Sequence, residues 1–175
     1  MIRTLARPLV CLVCLFASID RPAAAPADVW APLQFLVGRW VGEGSGQPGQ
    51  GVGPCSFAFE LDRRVLVRRS RVEYPATAAR PAFVHEDLMI HYRQGEALRA
   101  IYFDNEDHVI EYTGQLAADN QGVTFVTSAS APGPRFRLSY AKRPDGTLAV
   151  KFEIAPPGKP DAFAVYTEGV ARRVK

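Results

Sequence analysis

Phe35-Leu36-Val37-Gly38-Arg39-Trp40-Val41-Gly42-Glu43-Gly44 decides the reading of this chain. It runs from a short apolar segment into a first strand that carries Gly-x-Trp and then Gly-x-Gly. An indole is bulky enough to plug one end of a small barrel, and the glycines beside it let the strand bend and neighbouring backbone come close. Working outward, Leu33 to Val37 predicts one or two helical turns lying across a barrel mouth. A first strand is expected over Arg39 to Gly44, and Gln47 to Gly53, rich in glycine, reads as a loop.

Downstream the side chains alternate with the period of a strand. Phe57, Phe59 and Leu61 share a face against Ser56, Ala58 and Glu60. Phe136, Leu138 and Tyr140 oppose Arg135, Arg137 and Ser139, and Leu148, Val150, Phe152 and Ile154 oppose Ala149, Lys151 and Glu153. Val65 to Tyr74, rich in Val and Arg, reads as a long exposed strand. Val84 to Arg93 places Val84, Leu88, Ile90 and Tyr92 on one face and His85, Asp87, Met89 and His91 on the other. Turn signals stand at Gln94-Gly95-Glu96, Pro144-Asp145-Gly146 and Pro156-Pro157-Gly158, and Ala162 to Arg173 is the last strand. About ten short strands on hairpin-length connections predict an all-β fold, a closed up-and-down antiparallel barrel with a short N-terminal helical turn. Closure removes sheet edges, and a barrel of this size has room for one small ligand.

The length of 175 residues fits one domain, and 47% hydrophobic with 22% charged residues is a globular composition. Residues 1–27 read as a signal peptide and residues 28–175 as the barrel domain. Arg3 and Arg7 supply a basic start, Leu9 to Ala17 an apolar stretch too short to span a bilayer, and Ala25-x-Ala27 a cleavage site. The mature chain is therefore expected to be secreted or periplasmic, with no membrane span. Removing Arg3, Arg7, Arg21 and Asp20 takes the net charge from +3 to about +1, which leaves nucleic-acid binding without electrostatic support. Cys11 and Cys14 fall in the leader, where the valine before each disfavours a lipid anchor. Cys55 then stands alone, so no intrachain disulfide forms, and it reads as a small buried apolar residue.

Gly38-x-Trp40 together with the final Arg172-Arg173 resembles the calycin superfamily, the lipocalins, fatty-acid-binding proteins and nitrobindin-type barrels. The order Leu36-Val37-Gly38-Arg39-Trp40-x-Gly42-x-Gly44 is most similar to the nitrobindin branch and its bacterial relatives. The resemblance implies that the Trp of the first strand packs under a basic residue of the last, here Arg172 or Arg173, through a cation–π contact and guanidinium hydrogen bonds. Nitrobindin-type haem sites use a His late in the chain. Tyr166-Thr167-Glu168-Gly169-Val170 offers none, so no haem and no other cofactor is expected.

No Gly-x-Ser-x-Gly, His-Glu-x-x-His, phosphate loop or dinucleotide fingerprint occurs, and no catalytic residue is assigned. His85, Asp87 and His91 are metal-ligand types on one face, but about 20 Å of extended strand separates the two histidines, so no metal is expected and the row reads as solvent-facing. Glu86 falls within the apolar row Val84, Leu88, Ile90, Tyr92. If that row faces inward, Glu86 is a buried carboxylate that needs a partner, with Arg69 or Arg71 before it and Arg99 after it as candidates. Trp40, Tyr92, Tyr102 and Tyr140 complete the candidate cavity residues. The expected function is the binding of one small hydrophobic or amphipathic molecule inside the barrel. Two alternatives stand beside it: an enzyme using Glu86 or His85 as general acid or base, and a structural or interaction module with a filled core.

Overall fold

The computed structural model describes residues 28–129 and 133–174; the expected leader, with Cys11 and Cys14, lies outside them. Ten strands follow one another: β1 (Gly38–Gly46), β2 (Gly51–Glu60), β3 (Val65–Tyr74), β4 (Phe83–Gln94) and β5 (Ala97–Asp104), then β6 (Val109–Leu116), β7 (Gly122–Val126), β8 (Arg135–Lys142), β9 (Leu148–Ala155) and β10 (Ala164–Arg173). Each pairs antiparallel with its neighbours in sequence, and β1 pairs with β10, so the sheet closes into an up-and-down barrel. The one helical element among the described residues is a 3₁₀ turn, Ala31–Leu33. No helix among them is long and apolar enough to cross a membrane.

The opening stretch closes the barrel. The register sets Trp40 opposite Arg173. The Arg173 guanidinium lies 4.3 Å from the indole centroid, and it donates to the Val37 carbonyl at 2.6 Å and the Phe35 carbonyl at 3.2 Å. Trp40 Nε1 donates to the Leu36 carbonyl at 2.8 Å, which leaves the buried indole with no unmet polar atom. Gly38 is required here twice over. Its φ of +135° is a conformation L side chains rarely adopt, and a Cβ would collide with Arg173 Nη1. Of the two arginines the resemblance offered, Arg173 makes the closure; Arg172 is one residue out of phase and exposed, pairing with Val41 in the ladder.

Above this plug the barrel is packed. Trp30, Leu33 and Leu36 from the N-terminal turn join Trp40, Phe57, Leu66, Met89, Leu98 and Phe125 in one buried cluster. His91 packs against it, fully buried, with its ring 4.9 Å from that of Phe125 and its Nδ1 2.8 Å from the Leu66 carbonyl.

Three sequence expectations change. Gly51 to Gly53 lie in β2 and not in a loop. A Cβ on Gly53 would run into the Arg71 carbonyl and one on Gly51 into the side chains of Val72 and Tyr74; glycine is there for close approach to β3, not for a turn. The faces of β4 are also reversed. His85, Asp87, Met89 and His91 point inward, and the more apolar row carrying Glu86 points outward. Likewise β3 is no exposed strand, because Leu66, Arg68 and Ser70 face the interior. The inward charges of Arg68 and Asp87 neutralise each other, so hydrophobic alternation pointed the wrong way.

Candidate ligand-binding site

Beyond the packed half, the interior opens into a cavity of about 620 Å³, within the range typical of small-molecule sites, roughly 300–1,000 Å³. Three walls of different chemistry surround it. The inward rows of β8 and β9 supply Phe136, Leu138, Leu148, Val150, Phe152 and Ile154. Facing residues of β1, β2 and β10 are almost bare: the register places Gly42 opposite Gly53 and Ala171, and Gly44 opposite Gly51 and Gly169. The third wall, from β3, β4 and β5, is polar.

That polar wall is built on Arg68 and Asp87. Ser70 is the Cα partner of Asp87, so Arg68 reaches it diagonally across the ladder, and Arg68 Nη2 donates to Asp87 Oδ2 at 3.1 Å. The Asp87 side chain is 2% exposed and that of Arg68 13%. Burial pushes the Asp87 carboxyl up, while the Arg68 guanidinium, His85 and the Ser70 hydroxyl pull it down without cancelling that push. For Arg68 burial works against the charge, and Asp87 more than restores it. Tyr140 lies on the floor, its ring edge-on to Phe57 at 5.5 Å, and burial pushes its phenol well above the usual range. Cys55 faces the same floor, and burial raises its thiol too.

Three buried atoms on this floor have no hydrogen-bond partner within the described protein: Arg68 Nε, Asp87 Oδ1 and the Tyr140 hydroxyl. An unmet buried polar group costs about 1–3 kcal/mol, so three of them leave hydrogen-bonding capacity unused at this end of the cavity.

Towards the rim the polar wall continues as a relay. His85 sits with Nδ1 2.8 Å from Glu106 Oε1 and Nε2 2.9 Å from the Tyr102 hydroxyl. Tyr102 donates to Asp104 Oδ2 at 3.2 Å, and the His108 ring lies 2.9 Å from that same oxygen. Burial works to raise the Asp104 carboxyl, but the backbone and ring bonds of His108 and the Glu106 backbone outweigh it and hold it low. Asn105 straps this rim turn to β4, donating through its side chain to Val84 O and accepting from Glu86 N. Among the described residues no group of three or more His, Cys, Asp or Glu is placed to hold a metal ion.

The candidate residues divide cleanly. Tyr102 and Tyr140 line the cavity, with Tyr74, Tyr112 and Tyr166, and Trp40 closes the packed end. Glu86, Arg69, Tyr92 and Arg99 lie on the outer face. Glu86 is 56% exposed and pairs with Arg71, Arg69 pairs with Glu60, and Arg99 donates to Thr113. Of the two groups named as general acid or base, His85 alone faces the cavity. Arg68 and Asp87 were missed as a site. The signal was present in the inward phase of β3 and β4, since Phe57, the Cα partner of Arg68, marks an inward position.

Fold and cavity together define a closed ten-stranded antiparallel barrel of a form compatible with ligand binding. No family profile matches the chain and no curated protein matches it in sequence. Among solved structures it is similar to Rv2717c from M. tuberculosis, with a TM-score of 0.57 and 16% identity over 85% of this chain and 99% of that one. At that identity the likeness is one of fold.

Proposed function

We propose that this protein is a calycin-like carrier, secreted or periplasmic, that holds one small amphipathic molecule inside its barrel. The observation that carries this reading is the cavity itself, apolar on β8 and β9, with three unpartnered polar atoms on its floor. Desolvating the apolar wall and the ligand drives binding, at about 25 cal/mol per Å². The floor then orients the polar end, because only one orientation meets its unpaired donors and acceptors. Tyr102 and Tyr140 serve as cavity residues, and Trp40 with Arg173 holds the end opposite the mouth shut.

Native mass spectrometry of freshly purified protein tests this, alongside displacement of a fluorescent apolar dye by small amphiphiles. A co-purifying mass, or saturable displacement at one molecule per barrel, is the expected result. Dye that neither binds nor is displaced would show the cavity to be collapsed in solution.

A further inference from the structure

We propose that the cavity floor selects an uncharged head that donates and accepts hydrogen bonds side by side, the amide edge of a flat ring, and that it disfavours a carboxylate. This rests on the ligand-binding reading and narrows it to a chemical class.

The first argument is the identity of the unpaired atoms. Arg68 Nε–H can only donate, Asp87 Oδ1 can only accept, and the Tyr140 hydroxyl does either. A head that satisfies them must offer an acceptor and a donor together. A carboxylate offers only acceptors and leaves Oδ1 facing a like charge. An ammonium offers only donors and leaves Arg68 Nε facing one. A lactam or primary amide presents C=O and N–H on one edge.

The second argument is charge. The Arg68 guanidinium is already neutralised by Asp87 at 3.1 Å. An anionic head would therefore enter as a second negative charge beside one cation, in a site where water cannot screen it. Further up, Asp104 and Glu106 add two negative charges against the one further guanidinium of the lining, Arg80, which lies over the Phe83 ring.

The third argument is shape. Gly42, Gly44, Gly53 and Gly169 put a patch of bare backbone from three adjacent strands on the cavity wall. A planar ring can lie against that backbone while its other face meets the aromatic side chains of β8 and β9, Phe136 and Phe152, themselves stacked at 5.9 Å.

Three probes separate the terms on the full mature chain: decanamide, decanoate, and lumichrome, a flat neutral ring with an imide edge. Isothermal titration calorimetry is expected to give decanamide at least ten-fold tighter than decanoate, with lumichrome bound at one per barrel. Asp87→Asn removes the compensating carboxylate, so the amide-over-acid preference is expected to fall at least ten-fold or invert. Tyr140→Phe is expected to weaken decanamide and lumichrome by about ten-fold, the worth of one hydrogen bond, without inverting the preference. It keeps the test open if the aspartate variant does not fold. Decanoate binding as tightly as decanamide to the unaltered protein overturns the uncharged head. Decanamide bound without lumichrome overturns the flat ring. If none of the three binds while the dye does, the head class is wrong and the carrier reading stands; if the dye also fails, the carrier reading goes with it.

Discussion

The two halves of the barrel interior rise from the same ten strands with the same in–out alternation, yet one is packed solid and the other is hollow. The difference lies in what each strand places inward at successive positions. Towards the plug β1 gives Trp40, β2 gives Phe57 and β3 gives Leu66; two and four residues on, the same strands give Gly42 and Gly44, Cys55 and Gly53, Arg68 and Ser70. Large apolar side chains meet across one half, and glycines with mutually paired polar groups keep the other apart. Stability is concentrated in the first half, and the buried unpaired atoms of Arg68, Asp87 and Tyr140 lie where the two join.

This contrast predicts a large asymmetry under truncation. Trp40→Ala removes a buried indole and the face on which Arg173 rests, and is expected to cost about 3–5 kcal/mol. Val150→Ala, on the wall of the hollow half, removes methyl groups that already border open space, and is expected to cost about 1 kcal/mol or less. Urea unfolding followed by tryptophan fluorescence for the valine variant, and by circular dichroism for both, measures the pair. Equal costs would mean that the hollow half is filled in solution.

Acid reaches the packed half through His91. Burial lowers its pKa from 6.5 to about 4, the Leu66 carbonyl opposes that shift, and Arg68 adds to it. A histidine whose native pKa is depressed takes up its proton first in the unfolded chain. Its influence on stability is therefore absent above pH 6.5, grows unfavourably as pH falls, and levels off below 4. The total loss is about 3 kcal/mol. Asp87 works the other way, because burial raises its carboxyl, so acidification relieves part of the cost of its charge. Denaturation midpoints of the parent and His91→Phe between pH 7 and pH 4 isolate the first effect. The parent should lose stability over that window and the variant should lose distinctly less. Parallel curves would show that His91 meets water.

The plug sharpens the same contrast at smaller scale. Arg173→Ala loses a cation–π contact and two carbonyl hydrogen bonds at a partly solvated end, and is expected to cost about 1–2 kcal/mol. Arg172→Ala, one position out of phase, is expected to stay within about 0.5 kcal/mol of the parent. If Arg172 mattered more, the register of β10 against β1 would be shifted by one.

How much of this was legible in the sequence follows the same division. Where a strand carries large apolar residues inward and polar residues outward, as β8 and β9 do, alternation gave the right face at once. Trp40 and the terminal arginine pair were readable because a closure needs one large ring and one cation. The floor was not readable in that way. In β4 the inward row is His85, Asp87, Met89 and His91, while the outward row has Val84, Leu88, Ile90 and Tyr92. A rule that places apolar residues inside chooses the wrong row, because the inward charges are tolerated only through partners on another strand. Arg68 supplies that partner from β3, and a single strand's pattern carries no information about it. The glycines of β2 misled for a related reason. A residue required for close backbone approach looks in sequence like one required for a turn.

Glu86 gives the smallest effect and the clearest separation of the two readings of β4. On the outer face it pairs with Arg71 at 3.1 Å and is more than half exposed, and Arg71 also bonds Glu73, so solvent and a second carboxylate stand ready to replace it. Exposed pairs of this kind add little to stability. Glu86→Gln keeps the shape and the backbone bonds to Asn105, so neither the unfolding midpoint nor the affinity for decanamide is expected to change measurably. The neighbouring Asp87→Asn, one residue along and on the other side of the sheet, is expected to alter head-group preference strongly. Adjacent substitutions with opposite consequences for binding are what the alternation of a strand demands once its inward phase is fixed. If Glu86→Gln were the one to change binding, the phase of β4 would be wrong, and the arginine–aspartate floor with it.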